Sequence, residues 1–165
     1  MKTELEKQLF DKYPSIFADR TKPMSETCMC WGISCDDGWY HIIDNLCKQL
    51  TFIENVYDVK VIADQVKEKY GTLRFYHHIV LGPRWSTDTD GHLLDLKLTT
   101  ERSSLGWTST SKMEPVYESV ERQIDEWIHV AEYLSGIVCE DCGMIGATQN
   151  ESGWIKTQCE VCKNK

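Results

Sequence analysis

The chain has 165 residues, 41% of them hydrophobic, with 6 tryptophans and 7 tyrosines, enough apolar surface for one folded main domain rather than a disordered chain. Its formal net charge of -8 disfavours a general role in gripping a nucleic-acid backbone. No apolar run has the length of a membrane span, and the charged stretch 1–10 lacks the apolar core of a secretion signal. The expectation is a cytoplasmic protein without a membrane anchor, whose 8 cysteines are thiols or metal ligands rather than disulfides.

Leu5, Leu9 and Phe10 recur at helical spacing, and Tyr13-Pro14 ends the segment, because a residue before proline avoids helical geometry. Three cysteines, Cys28, Cys30 and Cys35, then lead into Asp36-Asp37-Gly38, where either aspartate is placed to cap a helix over 38–54. Trp39, Ile42, Ile43, Leu46, Leu50 and Ile53 form its apolar stripe. Cys28, Cys30, Cys35 and Cys47, with His41, are candidates for a second metal site. Their spacing is irregular and Cys47 adjoins the stripe, so small core thiols are the competing reading.

Residues 59–81 are rich in β-branched and aromatic side chains around Tyr70-Gly71, which predicts a β-hairpin. A two-residue turn there pairs Lys67 with Arg74, Val66 with Phe75 and Gln65 with Tyr76. Leu73, Phe75, His77, Ile79 and Leu81 should then face the core, leaving Lys67, Arg74, Tyr76, Gln65 and His78 on the opposite face. Two cations directly across a sheet need a counter-charge, either an internal carboxylate such as Glu68 or Asp64 or an external anion. With Trp39 nearby, these five residues are the candidate ligand-binding set.

Residues 82–112, rich in Gly, Ser, Thr and Asp, read as an insertion or lid, with Leu93, Leu94, Leu96 and Leu98 forming an edge strand or minor hairpin. A helix follows over 115–134, with Val116, Val120, Ile124, Trp127, Ile128, Ala131 and Leu134 on one face, Ser111 and Glu114 as its cap, and Gly136 as its stop. Beyond it, Cys139-x2-Cys142 and Cys159-x2-Cys162 have the spacing of a four-cysteine zinc site. Gly143 sits where a knuckle turn needs positive φ. Four thiolates close the coordination sphere, so the Zn²⁺ is structural, and Trp154 is expected to pack the ribbon against the body.

Asp36, Asp37, His41, His77, His78 and Glu68 offer material for catalysis, but none stands at a spacing diagnostic of a nucleophile elbow, a zincin helix or a phosphate-binding glycine loop, and the histidines, His129 included, read as structural. A binding protein is favoured over an enzyme.

Cys35-Asp36-Asp37-Gly38-Trp39, the run Val66-Lys67-Glu68-Lys69-Tyr70-Gly71-Thr72-Leu73-Arg74-Phe75-Tyr76, and Cys139-Glu140-Asp141-Cys142-Gly143 with Trp154 and Cys159 together resemble a family of small bacteriophage and bacterial proteins. Asp36 replaces the glycine of the family pattern, and 82–112 is longer than its usual connection. The resemblance implies a phage-type origin, hence action in a host cytoplasm, and a C-terminal zinc module; it carries no activity with it. The expected fold is α+β, an antiparallel hairpin on two amphipathic helices over 1–135, with a zinc ribbon over 136–165. The expected partners are a small anionic ligand, such as a nucleotide-derived host defence signal that the protein sequesters, or a host protein that it inhibits. Nucleic-acid binding through the ribbon is a further alternative, and a homo-oligomer is compatible with all of these.

Overall fold

The computed structural model describes residues 1–83, 85–87, 93–103, 106–114, 117–150 and 153–165, with side chains for all of these except 86–87, 93–103, 106–114 and 117–118. The fold is α+β. Helix α1 (Thr3–Lys12) stops at Tyr13 and buries Leu9. Two 3-10 turns, Ala18–Thr21 and Met29–Trp31, lead to the short strand β1 (Ile33–Ser34). A third, Asp37–Trp39, runs into α2 (Tyr40–Tyr57).

Neither Asp36 nor Asp37 caps α2, because the 3-10 turn already occupies that position and makes no side-chain cap. Asp37 is used elsewhere. Its carboxylate accepts the Lys2 backbone N–H at 2.7 Å and lies 2.8 Å from the Lys2 ammonium, so it anchors the start of α1.

Strands β2 (Val59–Lys69) and β3 (Thr72–Leu81) form the expected hairpin in the expected register, with Lys67 opposite Arg74, Val66 opposite Phe75 and Gln65 opposite Tyr76. Tyr70 and Gly71 both have positive φ, 54° and 74°, as a tight turn matching the sheet twist requires. A bulge between Ala63 and Gln65 inserts Asp64, which keeps Val59, Val61 and Ala63 on the same buried face as Val66. Strand β1 adds in parallel to β2 through Ile33 and Ser34, a pairing the sequence did not suggest. The inner face of this sheet packs on α2, whose Ile43, Leu46, Leu50 and Ile53 are buried with Trp39 in one core.

Residues 82–112 contain more order than a minor hairpin. Strands β4 (Trp85–Thr87), β5 (Leu93–Ser103) and β6 (Gly106–Glu114) make a separate three-stranded antiparallel sheet. Ser111 and Glu114, expected as a helix cap, lie in β6. Helix α3 (Tyr117–Ser135) follows; Pro115 and Val116 lie outside the described residues. Val120, Ile124, Ile128 and Ala131 of α3 enter the core, whereas Trp127 and Leu134, assigned to the same face, are exposed. The free edge of β3 is covered by α3, where the Ser135 hydroxyl accepts the Leu73 N–H at 2.8 Å and Glu132 accepts the Phe75 N–H at 3.4 Å. The C-terminal segment contributes a small β7 (Thr148–Gln149) and β8 (Thr157–Gln158) ladder and the single turn α4 (Glu160–Lys163). No helix among the described residues is long and apolar enough to cross a membrane.

Candidate functional site

Two tight turns bring the four C-terminal thiols together. In the first, Gly143 at φ 77° lets its N–H reach the Cys139 carbonyl at 2.8 Å. In the second, the Cys162 and Lys163 N–H groups both donate to the Cys159 carbonyl at 3.0 Å as α4 begins. The sulfurs of Cys139, Cys142, Cys159 and Cys162 all lie within 4.8 Å of one another. Cys142 and Cys159 are 3.7 Å apart. Metal–sulfur bonds of about 2.3 Å in a tetrahedron require an edge of roughly 3.8 Å, so this donor set fits a single metal ion.

The ribbon is held to the body by the segment Cys35 to Trp39. The Gly38 N–H donates to the Glu140 carbonyl at 2.7 Å, and the Trp39 indole N–H donates to the Val138 carbonyl at 2.9 Å. Lys156 bridges Asp36 and Asp141 at 2.6 and 2.8 Å. One Glu140 oxygen accepts the Asp36 N–H at 3.1 Å, while the other is buried without a partner among the described residues. Burial pushes this carboxyl up to about 7, against the opposing pull of the Asp36 N–H. Trp39 is fully buried in this docking contact and offers no surface to a ligand, which corrects its inclusion, as a nearby residue, in the ligand-binding set.

The other four cysteines do not gather within ligand distance among the described residues. Burial raises the Cys35 thiol to about 12 and Cys47 well above its ordinary value, as befits inert core thiols. The described residues contain one further cluster of metal-capable groups, Asp19, Asp64 and His78. It is paired internally, Asp19 with Lys22 at 2.9 Å and Asp64 with His78 at 2.8 Å.

The outer face of the hairpin keeps its expected residues but divides them. Arg74 turns along its own strand, donating to Thr72 Oγ1 at 2.6 Å and the Leu73 carbonyl at 2.7 Å, with Glu132 at 3.9 Å as its carboxylate. His78 faces Asp64, and Gln65 and Tyr76 border a shallow depression with Thr27 and Cys28. Neither Glu68 nor Asp64 neutralises the cation pair; Glu68 instead accepts the Gly71 N–H at 2.7 Å within the turn. The Lys67 ammonium lies over the Tyr76 ring at 5.4 Å and the Lys69 ammonium over Tyr70 at 5.5 Å. Neither ammonium has a carboxylate within salt-bridge distance among the described residues.

Lys67, Glu68, Lys69 and Tyr70 open onto a cavity of about 370 Å³ whose other wall is Gly153, Trp154 and Ile155 of the ribbon. Trp154 does not pack the ribbon inward; it is 78% exposed and faces this cavity, while the ribbon interior is filled by Ala147 and Thr157. Two contacts join the walls: the Thr157 hydroxyl donates to the Gly71 carbonyl and the Gln149 amide to the Tyr70 carbonyl at 3.2 Å. The sequence reading missed Lys69, Tyr70 and Trp154. A bulky residue at the positive-φ turn position beside Gly71 was the available signal, since asparagine, aspartate or glycine would fit there with less strain. A second cavity, of about 450 Å³, lies between α2 and α3 and is lined by Ile42, Leu46, Trp127, Val130, Leu134 and Ile145 among others.

Comparison with protein-family models, curated proteins and solved structures found no match to this chain.

Proposed function

We propose that the protein is a non-enzymatic binder of a small anionic ligand, taken up on the outer face of the hairpin, and that its four-cysteine cluster holds a structural Zn²⁺. The observation carrying the binding reading is the pair of ammonium groups, Lys67 and Lys69, set over aromatic rings without carboxylate partners among the described residues, on a chain whose net charge is -8. Ammonium groups with no carboxylate partner are free to exchange water for an anion, and the adjoining rings supply apolar contact for the rest of such a ligand. A nucleotide-derived host signal, sequestered without chemical change, is the ligand class the phage-type resemblance brings to this face. The zinc reading rests on the all-thiolate donor set, which closes the tetrahedron and leaves no position for substrate.

Incubating the protein in bacterial lysate, repurifying it and denaturing it should release a phosphate-bearing small molecule detectable by mass spectrometry. Recovery of no anion, or of one converted to a product, sinks the reading. Metal analysis should give one zinc per chain, and cobalt substitution should give the absorption bands of four-thiolate tetrahedral coordination.

A second reading, inhibition of a host protein by docking, is favoured by the apolar groove between α2 and α3 and its exposed Trp127, Val130 and Leu134. A host protein copurifying at fixed stoichiometry, lost with Trp127→Asp and indifferent to Lys67→Gln, selects it over ligand binding.

A further inference from the structure

The seam between hairpin and ribbon has the elements of a specific kind of anion site. Its two aromatic side chains come from different walls, Tyr70 from the hairpin turn and Trp154 from the ribbon, and both are largely exposed, at 68% and 78%. An indole left this exposed gains nothing for stability where it stands. Its neighbours Gly153 and Ile155 are apolar, and the facing strand brings Lys67, Glu68 and Lys69 to the cavity, the Glu68 carboxylate being engaged by the Gly71 N–H at 2.7 Å. The volume, about 370 Å³, is at the lower end for ligand sites, enough for one ring system with its phosphates and too small for an oligonucleotide. The turn is built to keep this geometry. Tyr70 is held at φ 54°, a conformation that disfavours a bulky side chain, and its carbonyl is fixed by Gln149 of the ribbon.

We infer that this seam binds a nucleoside phosphate, its base contacting the Trp154 and Tyr70 rings and its phosphates taking N–H donors from Lys67 and Lys69. This rests on the anion-binding reading above and gives it a place and a ligand class. Base–aromatic stacking tolerates any base, whereas the ammonium pair requires phosphate, so the site selects for both parts on one molecule and weakly among bases.

The test titrates ADP, GDP, CDP, UDP, inorganic pyrophosphate and adenosine into the zinc-loaded full chain, followed by calorimetry and tryptophan fluorescence. One nucleoside diphosphate should bind per chain, with pyrophosphate and adenosine each weaker by about tenfold or more. Trp154→Ala should weaken ADP by a similar factor and quench the fluorescence response, Trp154→Phe should restore most of the affinity, and Lys67→Gln with Lys69→Gln should abolish the preference for ADP over adenosine. Trp31→Ala, an exposed tryptophan that lines neither this seam nor the helix groove, should change nothing. Circular dichroism and metal content identify any variant that fails to fold, and the exposed position of Trp154 makes that variant safe. ADP binding as tight in Trp154→Ala as in the parent, or no tighter than pyrophosphate, overturns the seam as the site while leaving anion binding standing. Failure of all four diphosphates and of pyrophosphate to bind overturns both.

Discussion

Gly38 marks the closest approach between body and ribbon. A Cβ there would lie 2.1 Å from the Cys139 carbonyl oxygen and 2.5 Å from both the Glu140 carbonyl oxygen and the Gly143 nitrogen, all of them backbone atoms that cannot swing aside. Gly38→Ala should therefore undock the ribbon, and the emission of Trp39, now fully buried, should shift to the red; unchanged emission would show that the contact is not tight. His77 makes a prediction about pH. Burial depresses its imidazole below the ordinary 6.5, outweighing the pull of Asp125 and Asp64. The unfolded chain therefore takes up the proton first, so this contribution to stability is complete above about pH 6.5 and is lost as pH falls below it. Urea midpoints at pH 8 and pH 5 should differ more for the parent than for His77→Gln, and an equal difference would exclude the histidine as the cause. Trp39 shows where residue-level reading fails. Its burial with the apolar stripe of α2 was legible, but it lies in the 3-10 turn before that helix and its indole N–H is used on a backbone carbonyl 99 residues away in sequence, a contact visible only once the ribbon has docked.

Among the elements, the hairpin was the most legible because its register follows from one local choice, the positive-φ pair Tyr70-Gly71. Even the bulge has a trace in the sequence, since the alternation Val59, Val61, Ala63 slips by one residue before Val66. The short parallel β1 left no such trace: two residues are too few for a periodicity, and their partner is set by tertiary packing. The polar, threonine-rich composition of 93–114 hid a long strand pair behind the look of a loop. Gly71 is the position on which hairpin and ribbon both depend. At φ 74° a Cβ would meet Gln149 and Ile155 at 3.0 Å and Thr157 at 3.1 Å. Gly71→Ala should lower stability by about 1–3 kcal/mol, from the left-handed backbone and the crowded ribbon side chains together. A denaturation midpoint equal to that of the parent would show that the seam yields without strain.

For the whole molecule, the body and the ribbon were both readable as separate units, the first from its periodicities and the second from its cysteine spacing. Their relation was not, because it is made by Gly38, Trp39, Lys156 and Thr157, residues with no pattern of their own. If the four cysteines hold the proposed zinc, a chelator should release 136–165 and, with it, the hairpin turn. Hydrogen exchange should then lose protection at 70–72 and in the ribbon, while α2 and the first half of β2 keep theirs. Retained protection at the turn would mean that the hairpin does not lean on the ribbon. The two hydrogen bonds across the seam carry a quantitative corollary. If the proposed zinc orders the ribbon, these bonds tie the turn to the metal, and the two events then share one coupling free energy that each must report equally. The factor by which an open turn would weaken the proposed zinc is then the factor by which zinc removal would weaken turn closing, and the loss of zinc affinity in Gly71→Ala is a lower bound on it. A competition assay with a zinc indicator thus measures the rigidity of a β-turn in which the metal has no ligand.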